Sequence, residues 1–166
     1  MDLLQRALDR VLLQDAELEK IEPRTKPKTL ARHWSRAVLM ERIAYLQEMA
    51  RFGSGTEQET VRELPGHAAH LLFRARSGDV ELHPHHTHLF VVLAGAATLV
   101  SGGKVRNLRD AEEEKMLGDS IEGGEEQQLR PGDVAHIPAG VPFQMLLSGE
   151  QSLSCFALRL EEPPPE

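Results

Sequence analysis

At 166 residues the chain has the length of one domain with an appended element, which excludes two large domains. Hydrophobic residues make up 40% and charged residues 27%, the balance of an ordinary globular protein and not of a disordered, collagen-like or disulfide-stapled one. Against 26 Asp and Glu stand 19 Lys and Arg, a formal net charge of −7 with no basic face to track a phosphate backbone, so no nucleic-acid partner is expected.

From Asp2 to about Glu19 the apolar residues Leu3, Leu4, Ala7, Leu8, Val11 and Leu12 recur every three or four positions, which predicts a helix with one apolar face, capped by Asp2. Charges at Asp2, Arg6, Asp9 and Arg10 rule out a secretory signal or a membrane span in that stretch. By elimination, a cytoplasmic location is expected. Pro23 and Pro27 break the helix. A second helix is predicted from near Thr29 to Gly53. Leu30, Trp34, Ala37, Val38, Glu41 and Tyr45 lie on one side of it, and Leu39, Ile43, Leu46 and Ala50 on another. Two apolar stripes imply two neighbours, one of them the rest of the fold and the other the first helix or a second copy of the chain. The expectation is a helical N-terminal arm, residues 1–55, that helps a homodimer form.

After Gly53-Ser54-Gly55 the pattern changes to short apolar or alternating runs broken by Gly and Pro, which read as strands. These are Ala69 to Arg76, Val80 to His83, Leu89 to Leu93, Ala96 to Ser101, Glu126 to Leu129, Asp133 to Ile137, Phe143 to Ser148 and Leu153 to Leu160. So many short strands predict a mainly β sandwich, jelly roll or barrel over residues 56–161, because closing a sheet removes its exposed edges. The acidic stretch inside 104–124 is expected to be a solvated insertion, with a lid over the pocket as the alternative. Cys155, flanked by Leu153, Phe156 and Leu158, reads as a buried strand thiol. Residues 162–166, proline-rich and polar, read as a disordered tail.

Four of the 8 histidines fall between positions 83 and 88. The run from Val80 through Leu82-His83-Pro84-His85-His86-Thr87-His88 to Gly95 resembles the first motif of the cupin superfamily: His-x-His, a short gap, Glu, six residues, Gly. Anchoring on Gly95 puts His88 at the family's glutamate, His83 at its second histidine and Glu81 at its first. Pro131-Gly132-Asp133 through Pro138-Ala139-Gly140-Val141-Pro142-Phe143 is similar to the second motif, with Phe143 at the position of the fourth ligand. The resemblance implies a cupin double-stranded β-helix, a jelly-roll barrel, that is often dimeric and holds a divalent metal near one end. It leaves activity open, since similar barrels serve as enzymes, binders and storage proteins.

Glu81 and His83 are two apart on one predicted strand and share a face; Pro84 ends the strand and the loop brings His88 back beside them. One carboxylate and two imidazoles suit iron, manganese, nickel or zinc. Phe143 cannot coordinate, so it either enlarges a vacancy for substrate or marks a decayed site; it reads first as core inside the barrel and second as an aromatic contact for a ligand, while Pro138, Gly140 and Pro142 read as a tight turn between two strands and Gly95 as a turn residue. His85, His86 and His136 are further pocket candidates, and spacing does not choose among them. His33, His67 and His70 read as ordinary surface or partly buried residues. Three functions compete: a metal-dependent enzyme of dioxygenase, isomerase or lyase type on a small polar molecule; a ligand-binding or sensor barrel without metal; and a dimerising module.

Overall fold

The structure, a computed structural model, describes residues 26, 30–112 and 114–163. The predicted first helix, Asp2 to Glu19, lies outside them. Residues from Trp34 onward form a compact unit of their own. It opens with helix α1, Arg36–Arg51, whose first turn is capped by the Ser35 hydroxyl accepting from Val38 N at 3.2 Å. That cap starts the helix seven residues after the predicted Thr29, because Ser35 itself is extended and its side chain satisfies a backbone N–H that would otherwise have no partner.

Among the described residues thirteen strands follow: β1 Thr56–Leu64, β2 His67–Arg74, β3 Val80–Leu82, β4 His86–Gly95, β5 Ala97–Ser101, β6 Lys104–Arg106, β7 Arg109–Asp110, β8 Met116–Gly118, β9 Ser120–Glu122, β10 Glu125–Leu129, β11 Val134–Ile137, β12 Phe143–Leu146 and β13 Leu153–Glu161. One antiparallel sheet runs β1-β2-β13-β4-β11, a second β10-β5-β12-β3-β8-β7, and β6 pairs with β9. All eight predicted strands are present.

Side chains alternate across a strand, and this alternation builds the core. Leu72 on β2, Phe90 and Val92 on β4, Ala135 and Ile137 on β11, and Cys155 and Ala157 on β13 point from the first sheet into the space between the sheets. They meet Leu99 on β5, Leu129 on β10, and Phe143 and Met145 on β12 from the second. The opposite face of the first sheet carries Leu71, Phe73 and Leu93, and α1 covers them with Ile43, Leu46 and Ala50. Strand β2 is therefore buried on both faces, which is why its sequence is apolar from Ala68 to Phe73 apart from His70. Of the two stripes on α1, the one with Ile43 faces the sheet; Val38 and Tyr45 on the other are about half exposed. Trp34 packs on Phe156, ring centroids 5.9 Å apart.

Two expectations are corrected. Strand β1 is absent from the sequence reading: its sequence, Thr-Glu-Gln-Glu-Thr-Val-Arg-Glu-Leu, lacks apolar alternation because it is an edge strand, paired on one side only, with a bulge between Thr60 and Arg62. The stretch 104–124 is only in part a solvated insertion: Arg106 to Asp110, Glu112 and Glu114 are exposed, but its second half joins a sheet. Strand β8 pairs with β3, Leu117 opposite Glu81, and so extends the second sheet beside the histidine segment. Cys155 is fully buried as expected, and burial pushes its thiol up to about 12.

Gly95 closes the turn after β4 at φ +81°, and a Cβ there would stand 1.9 Å from the backbone oxygen of Ser152. Gly132 has a similar φ of +91° but open space around it. Gly132→Ala should therefore cost only the left-handed backbone penalty, about 1–2 kcal/mol, while Gly95→Ala must also push a backbone strand aside and should cost clearly more. Urea unfolding of both variants checks this; equal losses would show that the clash at Ser152 is relieved without cost.

Candidate functional site

The same alternation that fills the core decides which polar groups face inward. Counting by twos from Leu72 reaches His70 and Arg74; from Phe90, His88; from Ala157, Arg159. These residues, with Glu81, His83, Gln58 from β1, Phe143 and Lys115, line a cavity of about 110 Å³ in the compact unit. Only Glu81, His83, His88 and Phe143 of its lining stand out in the sequence as site candidates.

His83 leaves β3 just before the turn at Pro84, and its backbone carbonyl accepts from Gly140 N at 2.9 Å, so the second motif's turn holds the first motif in place. Thr87 adds a second tie: its hydroxyl accepts from Ala139 N at 3.1 Å and donates to the Glu162 carboxylate. Glu162 N also donates to His85 O at 2.8 Å, so the start of the predicted tail is anchored; residues 164–166 lie outside the described chain.

At the centre, His83 Nε2 donates to Glu81 Oε2 at 3.1 Å, and Arg74 Nη2 lies 3.6 Å from Glu81 Oε1. Gly78 is bare where the arginine passes: a Cβ there would stand 2.0 Å from Arg74 Nη1. The His83 and His88 rings are 4.3 Å apart between centroids. Phe143 stacks on His83 at 6.1 Å and Phe90 on His88 at 5.9 Å, so aromatic rings wall the imidazoles on the core side. His70 Nδ1 is within 3.1 Å of Thr60 Oγ1 and 3.3 Å of Gln58 Nε2.

Burial raises the Glu81 carboxyl, but the His83 hydrogen bond and the charges of Lys115, His83 and Arg74 together outweigh it and hold the group below its usual range. Burial also acts on His88, where it disfavours the charged imidazolium; with the charge of His83 it lowers the ring to about 3, so His88 is neutral near pH 7. Its Nδ1 is buried with no hydrogen-bond partner, as is Arg74 Nε. An imidazole fixed by a carboxylate beside a second, neutral imidazole can exchange a proton with a bound molecule.

The other pocket candidates are placed elsewhere. His136 is on β11, whose inward residues are Ala135 and Ile137, so the ring faces out. His85 sits in the exposed turn, in a hollow with Asp110 and Glu114. His86 has the parity of His88 but opens the strand and lines a separate hollow with Glu63, His67 and Glu161.

A divalent metal makes further demands on this donor set. The Glu81–His83 pair spans an edge of suitable length, yet among the described residues no set of three or more His, Cys, Asp or Glu is arranged to hold an ion. Glu81 is already engaged by Arg74 and by a hydrogen bond from His83, and Lys115 and Arg159 bring further positive charge to the cavity. The donor types, one carboxylate and two imidazoles lining one cavity, are ones that suit a divalent metal, while the added positive charge opposes one.

His88 binds a proton near 6.5 when unfolded and only near 3 when folded, so the unfolded chain takes up more protons in between. The stability His88 contributes is complete above about pH 6.5 and is lost on acidification, at up to about 1.4 kcal/mol per pH unit. Glu81, lowered as well, loses its own contribution further down in pH. Urea midpoints between pH 7.5 and 4.5 should fall steeply for the native chain and less steeply for His88→Phe; identical slopes would remove His88 as the cause.

No family model matches the sequence, and no curated protein does. Solved structures do match its shape. A protein of Thermus thermophilus, TT1209, is 16% identical over 75% of this chain and 95% of its own, with a TM-score of 0.50. The cupin domain of Schizosaccharomyces pombe Cnp3 is 12% identical over 64% of this chain and 65% of its own, TM-score 0.49. KdgF from Halomonas sp. is 18% identical over 65% and 82%, TM-score 0.46. Identities this low speak to fold alone. The two antiparallel sheets, the two glycine-marked turns that tie them together and the inward polar cluster between them give this chain the cupin fold.

Proposed function

We propose that this chain is a small-molecule-binding barrel that holds a polar ligand with protein side chains alone. One observation carries the reading. The Glu81 carboxylate, the only acid among the described residues of the cavity lining, is matched internally by Arg74 and a hydrogen bond from His83, so the cavity offers an incoming molecule hydrogen-bond donors and an aromatic wall more than a site for a cation. Such a pocket, mostly preformed and carrying a few convergent polar groups, is what small-ligand sites commonly look like. The metal-dependent enzyme is the competing reading, supported by Glu81, His83 and His88 sharing one cavity.

The test is a binding screen by NMR on the full chain, stripped with chelator, against small polyols, amides, amines and organic acids. At least one compound is expected to shift the signals of Phe143 and Phe90, with or without chelator. After anaerobic loading with iron, manganese, nickel and zinc in turn, less than stoichiometric metal should remain. Near-equal stoichiometry that disappears in His83→Ala and His88→Ala, or ligand binding that chelator abolishes, restores the metal-dependent reading.

Self-association belongs to the same reading: Val38, Tyr45 and Met49, exposed along α1, are the surface on which a second copy would rest. Sedimentation should find the full chain dimeric and the double variant Val38→Glu, Tyr45→Glu monomeric. A monomeric native chain ends the dimer proposal.

A further inference from the structure

The cavity carries more positive charge than it neutralises. Arg74 from β2, Arg159 from β13 and Lys115 from the segment before β8 all line it, against one carboxylate, Glu81. Arg74 is committed to Glu81, its side chain only 12% exposed. Lys115 and Arg159 form no ion pair among the described residues. Both are partly buried. Glu63 and Glu161 border a neighbouring hollow with Arg159, and Asp110 and Glu114 one with Lys115, but none of them pairs with either cation, so inside the cavity an anion from solution would offset part of their desolvation cost.

The two cations act on one spot. The charge of Lys115 is felt at Glu81 and that of Arg159 at His88, and Glu81 and His88 both stand against His83, at 3.1 Å and at 4.3 Å between rings. Arg159 is also the cross-strand partner of His88. Lys and Arg side chains donate and do not accept, and the guanidinium fork matches the two oxygens of a carboxylate. Beside them, Phe90, Phe143 and Met145 form an apolar wall that suits a hydrocarbon stub. At about 110 Å³ the cavity is smaller than one that takes up benzene, about 150 Å³, which limits the enclosed part of a ligand to about four heavy atoms.

We propose that the cavity recognises a short-chain organic carboxylate, its anionic end held between Lys115 and Arg159 and its carbon end laid on Phe90 and Phe143. This rests on the small-molecule reading above and adds the ligand's chemical class. It also assigns a role to the 104–122 segment. By pairing β8 with β3, that segment delivers Lys115 to a site that the two sheets alone would leave one cation short.

Isothermal titration of the full chain with acetate, propionate and malonate, against acetamide, propionamide, malonamide and inorganic phosphate, tests it. At least one carboxylate should bind at least tenfold more tightly than its amide. Lys115→Gln and Arg159→Gln should each weaken that binding tenfold or more, and Arg159→Lys should recover part of the loss. Arg106→Gln, which removes the same charge from the exposed β6–β9 pair where Arg106 meets Glu122, should change nothing. Because Lys115 and Arg159 are two separate, partly exposed positions, misfolding of one variant leaves the other to decide. Amides that bind as tightly as the acids, or phosphate that binds more tightly than every acid, overturn the ligand class and leave the small-molecule reading standing. If nothing in either series binds, and the wider screen is also empty, both fall.

Discussion

The placement of Glu81 between Arg74 and His83 is the contact on which the interior depends. A carboxylate in the hollow between two sheets loses most of its hydration, and the loss is tolerable only where opposite charge and hydrogen-bond donors replace the water. Arg74 and His83 supply both, from β2 and from the end of β3. Its neighbours are arranged around that triplet: His88 stacks beside His83, Phe143 and Phe90 close the core side, and Gly78 leaves the guanidinium room. Removing one member would leave another buried and unpaired, which commonly costs more than the pair itself contributes.

The sheet order makes this arrangement possible. Strand β13 lies between β2 and β4, strands that are distant from it in sequence, so the inward residues of all three form one continuous wall. The apolar stretch of that wall, Leu72, Val92, Cys155 and their neighbours, is core. Toward the strand ends it turns polar, with His70, Arg74, His88 and Arg159. A hydrophobic core and a charged pocket are thus produced by one periodicity, differing only in which residue occupies each inward position.

The likeness to solved structures is one of frame. Where the family motif has a fourth ligand, this chain has Phe143, and beside Glu81, His83 and His88 the cavity adds Arg74, Lys115 and Arg159. Fold and function separate at the level of inward side chains, as they do in most widely shared folds. The departure from the motif is thus the informative part of the resemblance.

Turn chemistry and local periodicity were legible in the chain itself: Gly95 and the Pro138-Ala139-Gly140 turn, the eight strands they help to separate, the core role of Cys155 and Phe143, and the common facing of Glu81 and His83. Each depends on residues within about ten positions of one another, where backbone geometry leaves few options. Strand β1 and the β6–β9 region were not legible, because polar edge strands gain their order from partners far away in sequence. Nor was the cationic half of the cavity. Arg74 and Arg159 do sit at inward positions by a count of two, a signal present in the sequence, but a lone arginine ending an apolar strand reads equally as the point where that strand meets water. Only sheet order and register, which set distant strands side by side, decided that these charges face a common hollow.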